Sequence, residues 1–158
     1  MALISCSVYL IVILTRLAFF VYWFFDNLAI LSKLKLLKFN LFTVTVSAML
    51  SWFTALLLSI LLNLKKLIAL KNERVKIRSI LKNFPEKKPD WQNNIEKNKI
   101  ATKAATLTIV KCLGDMIPSG VGSGLTLLVG NKFNDTHAGI GGLVSSVISC
   151  YEITQRIK

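Results

Sequence analysis

Residues 41–64 read LFTVTVSAMLSWFTALLLSILLNL, 24 residues without a single charge. As a helix this run is about 36 Å long at 1.5 Å per residue, enough to cross a hydrocarbon layer of about 30 Å. Lys65 and Lys66 close it, and Lys33, Lys35 and Lys38 precede it. The run is bounded by cations on both sides, as a membrane-crossing helix is.

Outward toward the N-terminus, residues 1–37 form a first hydrophobic segment. Up to Leu31 its only charges are Arg16 and Asp26. No basic leader or small-residue cleavage site precedes Arg16, so a removable signal peptide is not expected. Residues 32–40 are a short basic connector.

Outward toward the C-terminus, residues 65–103 carry twelve Lys or Arg against four Asp or Glu, a net +8 of the +12 on the whole chain. Leu64, Leu67, Ile68, Val75 and Leu81 fall roughly on one helical face, which predicts a basic amphipathic helix broken at Pro85 and Pro89. Residues 104–130 read as a Gly-rich helix interrupted at Pro118 and by Gly120, Gly122 and Gly124. A polar turn follows at 131–137. Residues 138–155 are a last hydrophobic helix, short for a full span.

These segments predict an all-α integral membrane bundle in one domain, with up to four hydrophobic helices and a basic amphipathic loop helix. With four crossings, both termini and the basic loop share one side, and the positive-inside rule places that side in the cytosol. Two spans with two interfacial segments is the alternative topology.

The chain is 53% apolar without counting Gly and only 18% charged. That excludes a disordered chain and an ordinary soluble enzyme. Cys6, Cys112 and Cys150 are odd in number and lie in apolar stretches, which points to buried, reduced thiols rather than a disulfide scaffold. His137 is the one histidine, so no catalytic set, metal site or cofactor is expected. Gly120, Gly122 and Gly124 follow no strand and precede no Gly-Lys-Ser/Thr, which argues against nucleotide binding.

Two features predict interactions. The cations Lys65, Lys66, Lys71, Arg74, Lys76 and Arg78 suit an anionic lipid surface, at about 1 kcal/mol per residue near such a bilayer. Flanking membrane helices argue against nucleic acid as the partner. The small residues Ala138, Gly142, Ser146 and Cys150 recur every four positions and share one helix face. Such a face allows close helix contact in lipid, either between copies or within the chain.

Two patches carry a family resemblance. The aromatic run RLAFFVYWFFDNLAILSKLKLL from Arg16 ends in Asp26-Asn27 and a Leu-rich basic stretch. GIGGLVSSVISCY from Gly139 is a Gly-rich helix ending in Ser-Ser and then Tyr151. Between them stands KCLGD, with Asp115. In this order the patches resemble the peroxisomal biogenesis factor 11 (peroxin-11) family. The resemblance implies a multi-pass peroxisomal membrane protein that elongates and divides the organelle membrane through self-association and recruited division machinery. A channel for small metabolites, with Asp26 and Asp115 lining it, is the alternative it implies, and a membrane enzyme ranks last. Family members carry a longer N-terminal region with a membrane-inserting amphipathic helix, which residues 1–14 are too uniformly apolar to supply. The chain is therefore expected to be a short variant or an incomplete gene product, with the basic helix near 65–81 as a substitute.

Overall fold

The computed structural model describes residues 2–83, 88–125 and 134–157; side chains of residues 2–6, 88–90 and 156–157 are not included. Among these residues the chain forms four helices: α1 (Ala2–Lys33), α2 (Leu41–Asn83), α3 (Lys88–Ser123) and α4 (Asp135–Ile157). Each packs on its neighbour in sequence, α1 on α2, α2 on α3 and α3 on α4. The expected all-helical bundle is observed.

The helix boundaries have local causes. Asn40 caps α2, its Oδ1 accepting from the backbone N–H groups of Phe42 and Thr43 at 3.1 and 3.4 Å. α1 ends in a Schellman turn, with Leu36 N–H donating to the Leu31 carbonyl and Lys35 N–H to that of Ser32. The turn needs a left-handed residue, and Lys35 fills that role at φ 59°. Asn134 and His137 cap α4 reciprocally: Asn134 Oδ1 accepts from His137 N–H, and His137 Nδ1 from Asn134 N–H.

α2 does not stop at Lys65. Residues 41–83 contain neither Gly nor Pro, so nothing in the backbone ends the helix where the charge begins. The apolar run and the first part of the basic stretch form one rod of 43 residues, about 65 Å long. The expected loop of 65–103 is thus divided between the outer end of α2 and the first turns of α3. Likewise Pro118 does not interrupt α3, which runs on to Ser123; Gly124, at φ 76°, follows it. Residues 126–133, which include the end of the expected Gly-rich segment and part of the expected polar turn, lie outside the described residues.

The packing is inverted relative to a water-soluble bundle. The closest-packed positions are small: Ala48, Ala55, Ala105 and Ser119 are at most 1% exposed. Large apolar side chains point outward, among them Phe20, Phe42, Leu10, Leu61 and Leu143. Among the described residues, Ser7–Lys33 and Leu41–Asn83 are the helices long and apolar enough to cross a membrane. Few residues of their apolar windows are buried, 6% and 22%, unlike the core helix of a soluble domain. Thr15, Ser51, Thr54, Asn63, Ser146 and Ser149 bond backward to carbonyls of their own helices. These six side chains therefore sit on the helices without orphaned donors.

Candidate functional site

Three places bring together the residues singled out by sequence. The first is the outer half of the α2–α3 pair. Leu67, Leu70, Arg74, Ile77 and Leu81 on α2 recur at alternating three- and four-residue steps, as do Trp91, Ile95, Asn98, Thr102 and Ala105 on α3. These are buried or half-buried positions, and the spacing is that of a coiled-coil seam. The single amphipathic face expected on α2 is thereby split. Leu67 and Leu81 turn toward the seam, whereas Leu64, Ile68 and Val75 remain exposed.

A polar clasp interrupts the seam. Asn98 is 4% exposed. Its Oδ1 accepts from Arg74 Nε and Nη2 at 3.2 and 3.1 Å, and its Nδ2 donates to the Leu70 carbonyl and to Glu73 Oε2, both at 3.0 Å. Arg74 Nη2 also donates to Thr102 Oγ1 at 3.1 Å. Every polar group of the Asn98 side chain is satisfied, so the clasp holds the two helices in one register. Arg74 therefore faces α3 and is separated from the other cations of its set. Lys65 Nζ donates to Ser7 Oγ at 3.3 Å across to α1. Lys66, Lys71, Lys76 and Arg78 are exposed. Along the helix axis Lys71 stands about 10 Å beyond Leu64 and Arg78 about 21 Å. A screening length of about 8–10 Å measured from Leu64 takes in Lys65, Lys66 and Lys71 and leaves Lys76 and Arg78 beyond it.

The second place is the α3–α4 crossing. Pro118 has no N–H, so the Gly114 carbonyl loses its helical donor. α4 brings the bare Cα of Gly141 against that carbonyl, and an added Cβ on Gly141 would fall on its oxygen. A Cβ on Gly114 would in turn lie 2.8 Å from the Gly141 carbonyl oxygen. Such a backbone-to-backbone approach is available only to glycine. Gly142, one residue on, has nothing within 4 Å of where its Cβ would be. Of the expected small-residue face, Ala138 and Gly142 are half-buried and Ser146 and Cys150 exposed. Contact within the chain runs instead through Gly141 and the buried Ser145. Cys112 is buried beside Ser59, with Sγ to Oγ 3.7 Å; Cys150 is exposed, contrary to the expected burial. The Cys6 side chain lies outside the described residues.

The third place surrounds Tyr22, whose ring stacks on Trp52 at 5.4 Å. Asp26 and Asp115 are half-buried on α1 and α3, and both stand near Tyr22. Asn27 points outward and donates to the Trp23 carbonyl of its own helix. Among the described residues no three His, Cys, Asp or Glu side chains converge on a position that would hold a metal ion.

Asn98, Gly141 and Tyr22 were not singled out from the sequence. The first stands on a heptad position, the second four residues before Ser145, the third one helical turn before Asp26. Those spacings carry the signal.

A family model, peroxisomal biogenesis factor 11, matches residues 6–154, which takes in all four helices. The chain belongs to the peroxisomal biogenesis factor 11 family. Among curated proteins, a peroxisomal membrane protein 11 homolog from Dictyostelium discoideum is 30% identical, over 84% of this chain and 56% of the relative. The chain thus spans little more than half the length of that relative. No solved structure matches. The peroxisomal biogenesis factor 11 match includes Asp26, Asn27, Asp115 and the Gly139–Tyr151 stretch that carries the resemblance, and also Gly141 and the Asn98 clasp.

Proposed function

We propose that this chain is a multi-pass protein of the peroxisomal membrane that shapes and elongates that membrane and promotes division of the organelle. Family membership over residues 6–154 carries the reading. The geometry supports it in one respect above others: α2 leaves its apolar stretch as an unbroken rod whose outer end is basic and clasped to α3. A rigid extension of that kind bears on headgroups at its base, through Lys65, Lys66 and Lys71, and holds Lys76 and Arg78 out toward membrane-division machinery. Self-association is assigned to the open face of Gly142, Ser146 and Cys150 on α4. No catalytic residue or cofactor enters the proposal.

The alternative, a passage for small metabolites, draws on Asp26 and Asp115 flanking Tyr22. The groove that runs between α1 and α2, lined by Leu14, Leu17, Val21 and Leu58 among others, is apolar and lateral, which favours lipid contact over ion passage.

The test is complementation. In cells lacking their own family member, expression of this chain should restore the number and the shape of the peroxisomes. Restoration of metabolite flux without any change in number or shape, together with conductance of the pure chain in planar bilayers, would overturn the shaping role in favour of the channel.

A further inference from the structure

Where α4 passes the outer part of α3, a groove of about 490 Å³ opens between them. Ile100, Ala104 and Leu107 give it an apolar floor. Lys103, Tyr151, Glu152 and Gln155 form its polar side. Lys103 Nζ donates to the Tyr151 hydroxyl and lies 4.9 Å from the centre of the Tyr151 ring. Having accepted that bond, the hydroxyl keeps its own proton to donate. Glu152 is half-buried and has no hydrogen bond or ion pair among the described residues.

The depth of the groove follows from the register of α2 on α3. The Ser59–Cys112 and Arg74–Asn98 contacts set Leu107 against Leu64, the last residue before the lysines. Ile100 is then about 10 Å further out. The polar layer on each face of a bilayer is about 5–8 Å thick. The groove therefore spans the headgroup layer, from Leu107 at its hydrocarbon edge to Ile100 just beyond its outer edge; this placement rests on α2 crossing the membrane as proposed above.

One cation and one carboxylate, side by side above an apolar floor, select a particular amphiphile. A headgroup with only negative charge would satisfy Lys103 and be repelled by Glu152. A quaternary ammonium has no N–H to donate to Glu152, and the Tyr151 face that would attract it is already occupied by Lys103. A primary ammonium carried a few ångströms from a phosphate meets both charges, each through a charge-assisted bond. We propose that this groove binds one ethanolamine phospholipid. Lys103 and the Tyr151 hydroxyl hold the phosphate, Glu152 holds the ammonium, and an acyl chain runs past Ala104 and Leu107 into the bilayer.

The full chain is reconstituted into nanodiscs of equal parts phosphatidylethanolamine, phosphatidylcholine and phosphatidylglycerol. It is released into mild detergent, and the lipid retained per chain is counted by native mass spectrometry. The expected result is one ethanolamine lipid per chain, retained about tenfold over the other two. Glu152→Gln should abolish the preference, Lys103→Met should lower retention of all three, and Glu152→Lys should turn the preference to phosphatidylglycerol. Lys103→Arg should keep it, and unchanged helicity by circular dichroism shows that each variant folds. Equal retention by the wild type, or an unchanged preference in Glu152→Gln, overturns the site. Millimolar phosphoethanolamine without an acyl chain should fail to displace the lipid; displacement would overturn the acyl-chain part and leave a headgroup site. Alkaline carbonate extraction reads the membrane placement separately. Release of the wild-type chain would overturn the span of α2, whereas retention without ethanolamine preference overturns the groove alone.

Discussion

On the inner side of Lys65, α2 meets α3 at Gly120, which faces Phe53, and at Gly122, whose missing Cβ leaves room for Met49. On the outer side, the same two helices meet at Ile77, Arg74 and Asn98. The two halves of one helix pair use opposite means. In the proposed crossing the inner half lies in lipid, which provides no hydrophobic force between helices, and small residues and close backbones take its place. The outer half then lies in water, which provides that force, and it buries a heptad seam and uses a satisfied polar group to hold its register. The α3–α4 crossing at Gly114 and Gly141 belongs to the inner kind.

This contrast is open to direct test, and the largest effect is expected on the inner side. Gly141→Ala places a methyl group on the Gly114 carbonyl, where neither backbone yields easily. It should destabilise the α3–α4 packing by about 2–3 kcal/mol, as overpacking does, while Gly142→Ala changes stability by less than about 0.5 kcal/mol. Thermal loss of helicity and protease resistance of the membrane-reconstituted chain measure both. Equal tolerance at the two positions would break the assignment of close packing to Gly141. Gly142→Leu sharpens the same point: chain stability should be unchanged while crosslinked oligomer yield falls, and unchanged yield would remove the open α4 face from self-association.

On the outer side, Asn98→Ala takes the Oδ1 acceptor from the buried edge of the Arg74 guanidinium, leaving it only Thr102 Oγ1, and removes the amide donor to the Leu70 carbonyl and Glu73. The expected cost is about 1–3 kcal/mol, the usual range for an orphaned buried polar group. The double variant Asn98→Leu with Arg74→Leu should recover most of that stability, because a polar clasp in a seam contributes specificity more than stability. If the double variant is as unstable as Asn98→Ala, the clasp does more than set register.

A smaller effect separates the base of the basic rod from its tip. Replacing Lys65 and Lys66 by Gln should reduce enrichment of anionic lipid around the chain by about 1 kcal/mol per residue. The same change at Lys76 and Arg78 should have little effect, since they stand beyond the screening length. Equal effects at base and tip would mean that the outer half of α2 lies along the bilayer rather than projecting from it.

The smallest effect belongs to the connector before α2. Lys35 holds a left-handed conformation that costs a side chain with a Cβ roughly 1 kcal/mol, so Lys35→Gly should stabilise the chain by up to that amount in the same thermal assay. A loss of stability would show that contacts of the Lys35 side chain outweigh its backbone conformation.

Much of this architecture is legible in the order of residues. An uncharged run of 24, flanked by lysines, determines a helix with lipid affinity, because length and transfer free energy are local properties. Asn40, Asn134 and the absence of Gly and Pro from 41–83 determine where helices begin and how far α2 runs. The family resemblance, too, is legible in the order of the patches around Asp26, Asp115 and Gly139. The tertiary structure alone decided how faces were used. Whether Leu67 or Ile68 is covered depends on the side from which α3 approaches, and whether Gly141 or Gly142 is the close contact depends on a rotation of about 100° around α4. Arg74 reads in sequence as one cation among six, and only the arrival of Asn98 from 24 residues away turns it inward. Likewise Lys103, Tyr151 and Glu152 share a groove because two separate helices pack side by side, and no spacing within either helix encodes that meeting.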